Sequence, residues 1–442
     1  MESNSRMGSN RPAPSSSRRI TASLLLAGIA FTPACGGGQD GAQDVAAPLV
    51  QAQASALAEE GLKRGARGPE VLKLYEYLKA YGYFPNPELG KYSGWRPVVA
   101  EEPADPQVFD AVLERALVLF QRAHGLPQDG VLNERTRHLM QQPRCGFPDN
   151  VRAGGDPAQG FTTFGSPWRN RNYIRYSYAS LTPDMPASTV RSALDGAFAR
   201  WSAVAGLRLQ EVSAGGGDIV INFYSGNHGD GGTGNDFDGP GGVLAHAFSP
   251  PYGGHVHFDE AETWSDGSSG TDLFSVAVHE FGHALGLGHS ADTSAVMYAY
   301  YTGVRRNLAA DDIQGIRSLY PNNVLLTDKS LSVGQSISSK DGRFGLGMQG
   351  DGNLVLYFHG YGPLWSTGTW NTQGKSAWMQ HDGNFVLYTT TTPTVGYHLW
   401  SSDTYGWAGS YAYLILQNDG NLTIRLFGDD GLVLWSSNTG GH

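Results

Sequence analysis

Three histidines and a glutamate in the stretch His279-Glu280-Phe281-Gly282-His283-Ala284-Leu285-Gly286-Leu287-Gly288-His289 have the types and spacing to hold a metal ion and move a proton. On a helix over residues 271–285, His279 and His283 sit one turn apart on one face, so both imidazoles can reach a single ion. Glu280 lies beside them. Gly286 readily takes the left-handed conformation that ends a helix and turns the chain back, which returns His289 as a third ligand. Three neutral imidazoles suit zinc and leave one position for water, whose pKa zinc lowers to near neutrality. Glu280 can take that proton, and the expected chemistry is attack of hydroxide on a polarised carbonyl.

The elements that must position these residues are readable on either side. Residues 173–178 and 218–223 read as strands, and 189–204 has helical spacing with Val190, Leu194, Phe198 and Trp201 on one face. Val243 to Phe248, VLAHAF, reads as a further strand. A closing helix begins at Ala309-Ala310-Asp311-Asp312-Ile313 and runs through Ile316 and Leu319 to a stop before Pro321.

The extended motif, followed by Met297 in Ala295-Val296-Met297-Tyr298, resembles the metzincins, which carry a methionine turn beneath the metal. Ser290 after the third histidine is similar to matrixins, and Ala299 stands where astacins carry a tyrosine ligand. The resemblance implies a zinc-dependent metalloendopeptidase acting on protein or peptide substrates. It also implies that VLAHAF is the edge strand along which substrate aligns through backbone hydrogen bonds, with the specificity wall between Met297 and Leu308.

Pro143-Arg144-Cys145-Gly146-Phe147-Pro148-Asp149 resembles the matrixin cysteine switch, in which a propeptide thiolate takes the open zinc position and holds the enzyme latent. By the family pattern Arg144 pairs with Asp149. Seven of the thirteen histidines fall between 228 and 289. The resemblance assigns His228, Asp230, His246 and His257 to a closed structural zinc site. It assigns Asp238, Asp259 and Glu262, with the carbonyls of Gly239, Gly241 and Val243, to calcium. Two departures stand out. Three extra residues separate His228 from Asp238-Gly239, and His255 stands where a second calcium would want an aspartate.

Upstream, residues 61–140 carry two amphipathic patterns around an insertion at 86–107. Val71, Leu72, Leu74, Tyr75 and Leu78 mark the first helix; Phe109, Val112, Leu113, Ala116, Leu117 and Phe120 mark the second. Phe120 to Leu126 with Asp129-Gly130-Val131 resembles the peptidoglycan-binding-like module of matrixin propeptides, with cell-wall binding as the competing reading.

The chain has 442 residues, more than one ordinary domain, and a net charge of −10 without a long basic run, which argues against a nucleic-acid partner. Arg18-Arg19 and the apolar run 20–31 read as a signal peptide ending near Ala34, so the chain is expected outside the cell or on a bacterial cell surface. Cys35 resembles the lipid-modified cysteine of bacterial lipoproteins, an anchor to the outer membrane, with plain cleavage as the alternative. Cys145 is then the one remaining cysteine and has no internal disulfide partner.

After Pro321 the texture becomes short strands and glycine turns with an internal repeat. Gln349, Asp351, Asn353, Val355 and Tyr357 recur as Gln380, Asp382, Asn384, Val386 and Tyr388. A looser third copy keeps Gln417, Asp419 and Asn421 but has Thr423 and Arg425. Trp365, Trp400 and Trp435 recur at the same interval. Alternation places each set on one strand face, with an apolar patch beside the polar groups. The pattern resembles bulb-type mannose-binding lectins, implying a mannose-type glycan as partner.

The expected architecture is multidomain. A signal peptide (1–35) and linker (36–59) precede a small helical propeptide (60–149), an activation linker (150–160), an α+β metzincin catalytic domain (161–321) and an all-β threefold prism lectin domain (322–442). The alternative is a glycan-binding adhesin or bacteriocin-like lectin whose protease domain is vestigial.

Overall fold

The computed structural model describes residues 61–92, 95–149, 160–163, 167–168, 174–230, 236–250, 253–407, 412–426 and 432–442. The expected signal peptide, Cys35, the expected linker 36–59 and all but Gly160 of the expected activation linker lie outside the described residues. Among the described residues no helix is long and apolar enough to cross a membrane.

The N-terminal region is helical: α1 Pro69–Ala80, α2 Ala111–Ala123 and α3 Glu134–Met140. The first two match the amphipathic patterns; α3 is too short for its periodicity to register. Asp110 caps α2 by accepting from the backbone N–H groups of Val112 and Leu113, each at 2.9 Å, and Asn133 caps α3. Val71, Leu74, Leu78, Leu113, Leu117 and Phe120 form the buried seam. The insertion at 86–107 is not a mere interruption. It contains a 3-10 turn at Pro87–Lys91 and buries Tyr92 and Trp95 beside Cys145 and Phe147.

The central region is built on a six-stranded sheet. Its strands are β1 Arg144–Cys145, β2 Ile174–Tyr178, β3 Leu209–Glu211, β4 Ile219–Tyr224, β5 Val243–Ala247 and β6 Val256–Asp259, in the order β1-β5-β6-β4-β2-β3. Four of them run parallel, β5 is antiparallel to β6, and β1 pairs parallel with β5. Helix α4, Ala187–Val204, is the crossover between parallel β2 and β3. Helix α5, Leu273–Ala284, is buried on nearly every side because it fills the core, with Phe281 stacked on Phe198 of α4 at 3.7 Å. It starts two residues later than the periodicity suggests. Thr271–Asp272 instead pairs as a short strand with Trp264–Ser265, and the Asp272 carboxylate caps α5 by accepting from Ser275 N at 3.0 Å. Helix α6, Ala310–Leu319, closes the domain.

The C-terminal region is all-β, with three four-stranded sheets. Residues 354–358, 385–388 and 422–426 are the matching strands of the three repeats, and each carries a bulge at the same place. Trp365, Trp400 and Trp435 meet one another at 5.4–5.9 Å between ring centres. The strand at Val324–Leu325, just past Pro321, pairs with residues 414–415 and completes the third sheet.

Candidate active site

Helix α5 ends at Ala284, and Gly286 with φ 104° reverses the chain as the glycine implied. His279, His283, His289 and Cys145 are all buried, and one ligand atom from each lies within 4.8 Å of all the others. The backbone fixes the tautomers. His279 Nδ1 donates to the Val296 carbonyl at 2.7 Å, and His283 Nδ1 donates to the Leu287 carbonyl at 2.8 Å. Each Nε2 therefore carries a lone pair, and the two face each other at 3.0 Å. His289 Nδ1 donates to Asp149 Oδ1 at 2.9 Å, leaving its buried Nε2 without a hydrogen-bond partner. Three lone pairs converging in a dry site repel unless a cation lies among them, and the N3S donor set fits zinc. Burial drives the imidazoles to their neutral, ligating form, with His279 pushed down to about 3.

Glu280 is fully buried, and burial pushes its carboxyl up to about 8. Neither of its oxygens meets a hydrogen bond of good geometry; the group facing it is the Cys145 thiol. Met297 packs directly under α5, where a Cβ at Gly282 would collide with its sulfur. The turn holding Met297 hangs on Asp312 of α6, whose carboxylate accepts from Val296 N at 2.8 Å, Met297 N at 3.0 Å and Ala309 N at 2.7 Å. The sequence signal for this is an acidic residue at the third position of a helix, a capping pattern reaching back to the preceding backbone.

The segment 143–149 threads the cleft between β5 and the 299–301 loop. Arg144 N donates to Gly242 O at 3.0 Å, and Gly146 N donates to Ala245 O at 2.8 Å. On the other side Cys145 N donates to Ala299 O at 3.0 Å, and Tyr301 N donates to Pro143 O at 2.9 Å. Phe147 stacks on the His283 ring at 3.9 Å. The edge strand expected to receive substrate is thus occupied by β1.

Arg144 is fully buried. Its guanidinium donates to Asp149 Oδ1 at 2.7 Å and to the Cys145 carbonyl at 3.1 Å, and lies 3.5 Å from the centre of the Tyr81 ring. Burial alone would push the Asp149 carboxyl up. Arg144 and the hydrogen bonds from His124 and His289 prevail and hold it well below the usual range. The link from Asp149 to His289 and His124 has no sequence signal, because the partners are 140 and 25 residues away.

In the second cluster, a single oxygen of Asp230 meets His228 Nε2 at 2.9 Å, His246 Nε2 at 2.7 Å and His257 Nδ1 at 2.6 Å. One ligand atom from each of these four likewise lies within 4.8 Å of all the others. Burial opposes the charge on Asp230, but the three imidazole hydrogen bonds hold its carboxyl far below the usual range. Asp238, Asp259 and Glu262 do not close into so tight a group among the described residues, yet they sense one another. Burial raises all three, with Asp238 raised to about 6, and the Asp259 charge adds to the rise at Asp238 and Glu262. Two of them hold the loop through its backbone: Val243 N donates to Asp238 at 2.8 Å and Gly241 N to Glu262 at 2.6 Å.

In the repeats, Gln349 Nε2 donates to Tyr357 Oη at 2.8 Å and Gln380 Nε2 to Tyr388 Oη at 3.0 Å, so each pair shares a face. Val355 and Val386 are buried and offer no open apolar patch. Asn353 and Asn384 are also buried, and their oxygens serve the neighbouring turns.

The matrixin family profile matches residues 167–321, and the profile of a peptidoglycan binding domain matches residues 67–140. A matrixin domain is present. The chain is 46% identical to a hatching enzyme of Paracentrotus lividus over 212 residues, 47% of this chain and 34% of that protein. It is 45% identical to a macrophage metalloelastase of Oryctolagus cuniculus over 213 residues, 47% of this chain and 44% of the relative. It is 44% identical to stromelysin-1 of Mus musculus over 226 residues, 48% and 45% of the two chains. The chain spans less than half the length of these relatives. The matrixin domain is of the zinc metalloendopeptidase type, and both histidine clusters supply donors that suit the metal.

Proposed function

We propose that the chain is an exported, latent zinc metalloendopeptidase in which residues 60–149 block the cleft and cleavage within 150–160 releases it. The reading is carried by Cys145, which converges with His279, His283 and His289 while its flanking backbone fills both sides of the cleft. His279, His283 and His289 would hold zinc, which when bound supplies a Lewis acid for the scissile carbonyl and a lowered pKa for water. Glu280 takes the proton from the attacking water and later passes it to the leaving amine. Once the propeptide leaves, β5 is free to pair with an extended peptide, and the 299–301 loop closes the other side. His228, Asp230, His246 and His257 would hold a structural zinc. Asp238, Asp259 and Glu262 with the 239–243 carbonyls would hold calcium, and the two ions together would pin a glycine-rich loop with little core of its own.

The C-terminal region, read as a threefold β-prism, would bind neutral, mannose-type glycans through Gln349, Asp351 and Tyr357 and their second-copy equivalents, with Asn353 and Asn384 holding the turns beside them. Its effect on proteolysis is local concentration on glycosylated surfaces.

The test is hydrolysis of a quenched peptide by the purified chain before and after limited proteolysis between 150 and 160, with Glu280→Ala in parallel. Activity should appear only on cutting and fall by roughly two to four decades in Glu280→Ala with zinc content unchanged. A cut, zinc-loaded chain inactive on peptides and denatured collagen would refute the proposal.

A further inference from the structure

The three C-terminal repeats offer an internal comparison that the shared motif does not use. After each core tryptophan the chain makes the same turn. Gly368, Asp403 and Asn438 all have positive φ, of 68°, 56° and 57°. The next residue is a threonine in each copy, and it is pinned identically. Thr369, Thr404 and Thr439 donate through Oγ1 to the carbonyls of Gly352, Gly383 and Gly420 at 2.8, 2.7 and 2.7 Å. Their backbone N–H groups donate to Asn353, Asn384 and Asn421 Oδ1 at 3.1, 3.2 and 3.3 Å. Two residues further on, Asn371, Gly406 and Gly441 again share positive φ. The residue between, at 370, 405 and 440, therefore leaves the same place on the same backbone in all three copies.

That place is beside the motif aspartate. A Cβ at Gly440 would lie 3.0 Å from Asp419 Oδ2. The other oxygen, Oδ1, accepts the Asn421 N–H in this copy, as Oδ1 of Asp351 and Asp382 accepts from Asn353 and Asn384. In the first two copies this position carries Trp370 and Tyr405, which are 63% and 68% exposed. Large aromatic side chains held open to water beside a carboxylate oxygen not used by its own turn have no packing role to explain them. The third copy has glycine here and has also lost the valine and tyrosine of the motif to Thr423 and Arg425.

We propose that Trp370 and Tyr405 are stacking platforms for a pyranose ring. The apolar C–H face of the sugar lies on the aromatic ring while its hydroxyls donate to Asp351 or Asp382, giving two extended saccharide sites per chain and none in the third copy. An aromatic face with a nearby oriented acceptor suits a neutral sugar, which is apolar on one face and hydroxyl-rich at its edge. The inference rests on the glycan-binding reading of this region and adds to it the residues that set affinity and the number of sites.

The full chain is titrated calorimetrically with methyl α-mannoside, methyl glucoside, methyl galactoside and mannan. Trp370→Gly and Tyr405→Gly, which install the residue of the third copy, should each raise the Kd of one of two sites about tenfold without changing Tm, and Trp370→Tyr should retain binding. Saturation should shift wild-type tryptophan emission, and Trp370→Gly should lose most of that shift. A Trp370→Gly/Tyr405→Gly double variant with the wild-type Kd and stoichiometry would overturn the stacking role while leaving glycan binding in place. A wild-type chain that binds none of the four saccharides would overturn the glycan reading itself and this inference with it.

Discussion

On the proposed latent-enzyme reading, replacing Arg144 by alanine should let the cleft open without cleavage. The guanidinium has no exposure and sits 2.7 Å from Asp149 Oδ1, so its removal strands a carboxylate that is itself buried. Breaking one side of a buried, hydrogen-bonded ion pair costs about 3–5 kcal/mol. His124, Tyr83 and His289 still contact Asp149, which places the loss toward the lower end of that range. On the proposed reading release carries Arg144 and Asp149 into water, so the whole loss falls on the closed state. At about 1.4 kcal/mol per decade, a loss near about 3 kcal/mol lowers the closed-to-open ratio by roughly two decades. The assay is peptide hydrolysis by the uncut Arg144→Ala chain, with the rate of Cys145 alkylation as a second readout. Both should rise together. A built-in control separates latency from misfolding: Arg144 leaves with the propeptide, so cut variant and cut wild type must have the same kcat/KM. If the uncut variant stays silent and its thiol unreactive while the cut forms match, the pair does not hold the closed state.

Gly146→Ala should open the cleft more weakly, because its Cβ would meet Val243 Cγ1 at 2.8 Å and lift the segment from β5; an overpacking cost of about 1–3 kcal/mol predicts roughly a five- to hundredfold rise in basal hydrolysis. Asp312→Ala strands the N–H groups of Val296, Met297 and Ala309. At about 1–3 kcal/mol for an unsatisfied buried donor, thermal denaturation should show a clear fall in Tm, and zinc should be lost faster to a chelator. The acidic loop gives a pH dependence. Asp238 is raised to about 6 in the folded state from an unfolded value near 3.8, so its contribution to calcium-free stability is full below about pH 4 and is lost as pH rises through 6. Calcium binds the ionised carboxylates, so the Tm gained on adding calcium should grow across that window; an equal gain on both sides of it would remove these residues from the site.

Much of the site was legible because its ligands are local. His279, Glu280 and His283 share one helical turn, and Gly286 takes the φ that a reversal needs. The helices at 69–80 and 111–123 announced themselves by apolar spacing, whereas α3, with seven residues, was too short to do so. The start of α5 was misplaced because Thr271 and Asp272 satisfy helical and strand patterns alike, and a pairing with Trp264–Ser265 decided between them. The insertion at 86–107 carried no period at all. Its role is tertiary: Tyr92 packs against Phe147 at 4.9 Å and stacks on Phe248 at 5.7 Å, and Lys91 Nζ donates to the Asp230 carbonyl at 3.0 Å.

Those contacts change what holds the cleft shut. The sequence points to one bond, from Cys145 to a metal, yet the segment is also clamped by four backbone hydrogen bonds, by Phe147 on His283 and by Asp149. Asp149 is the junction. Through Oδ1 it joins Arg144 of the same segment to His289 of the ligand set, and through Oδ2 it reaches His124 and Tyr83 of the helical region. A carboxylate behind a ligating imidazole orients the ring and raises its basicity. On the proposed latent-enzyme reading, the segment 143–149 supplies His289 with a partner that would leave on cleavage. On that reading latency and the basicity of His289 are coupled through one side chain, so loss of the thiol alone, as in Cys145→Ser, should open the cleft less completely than cleavage.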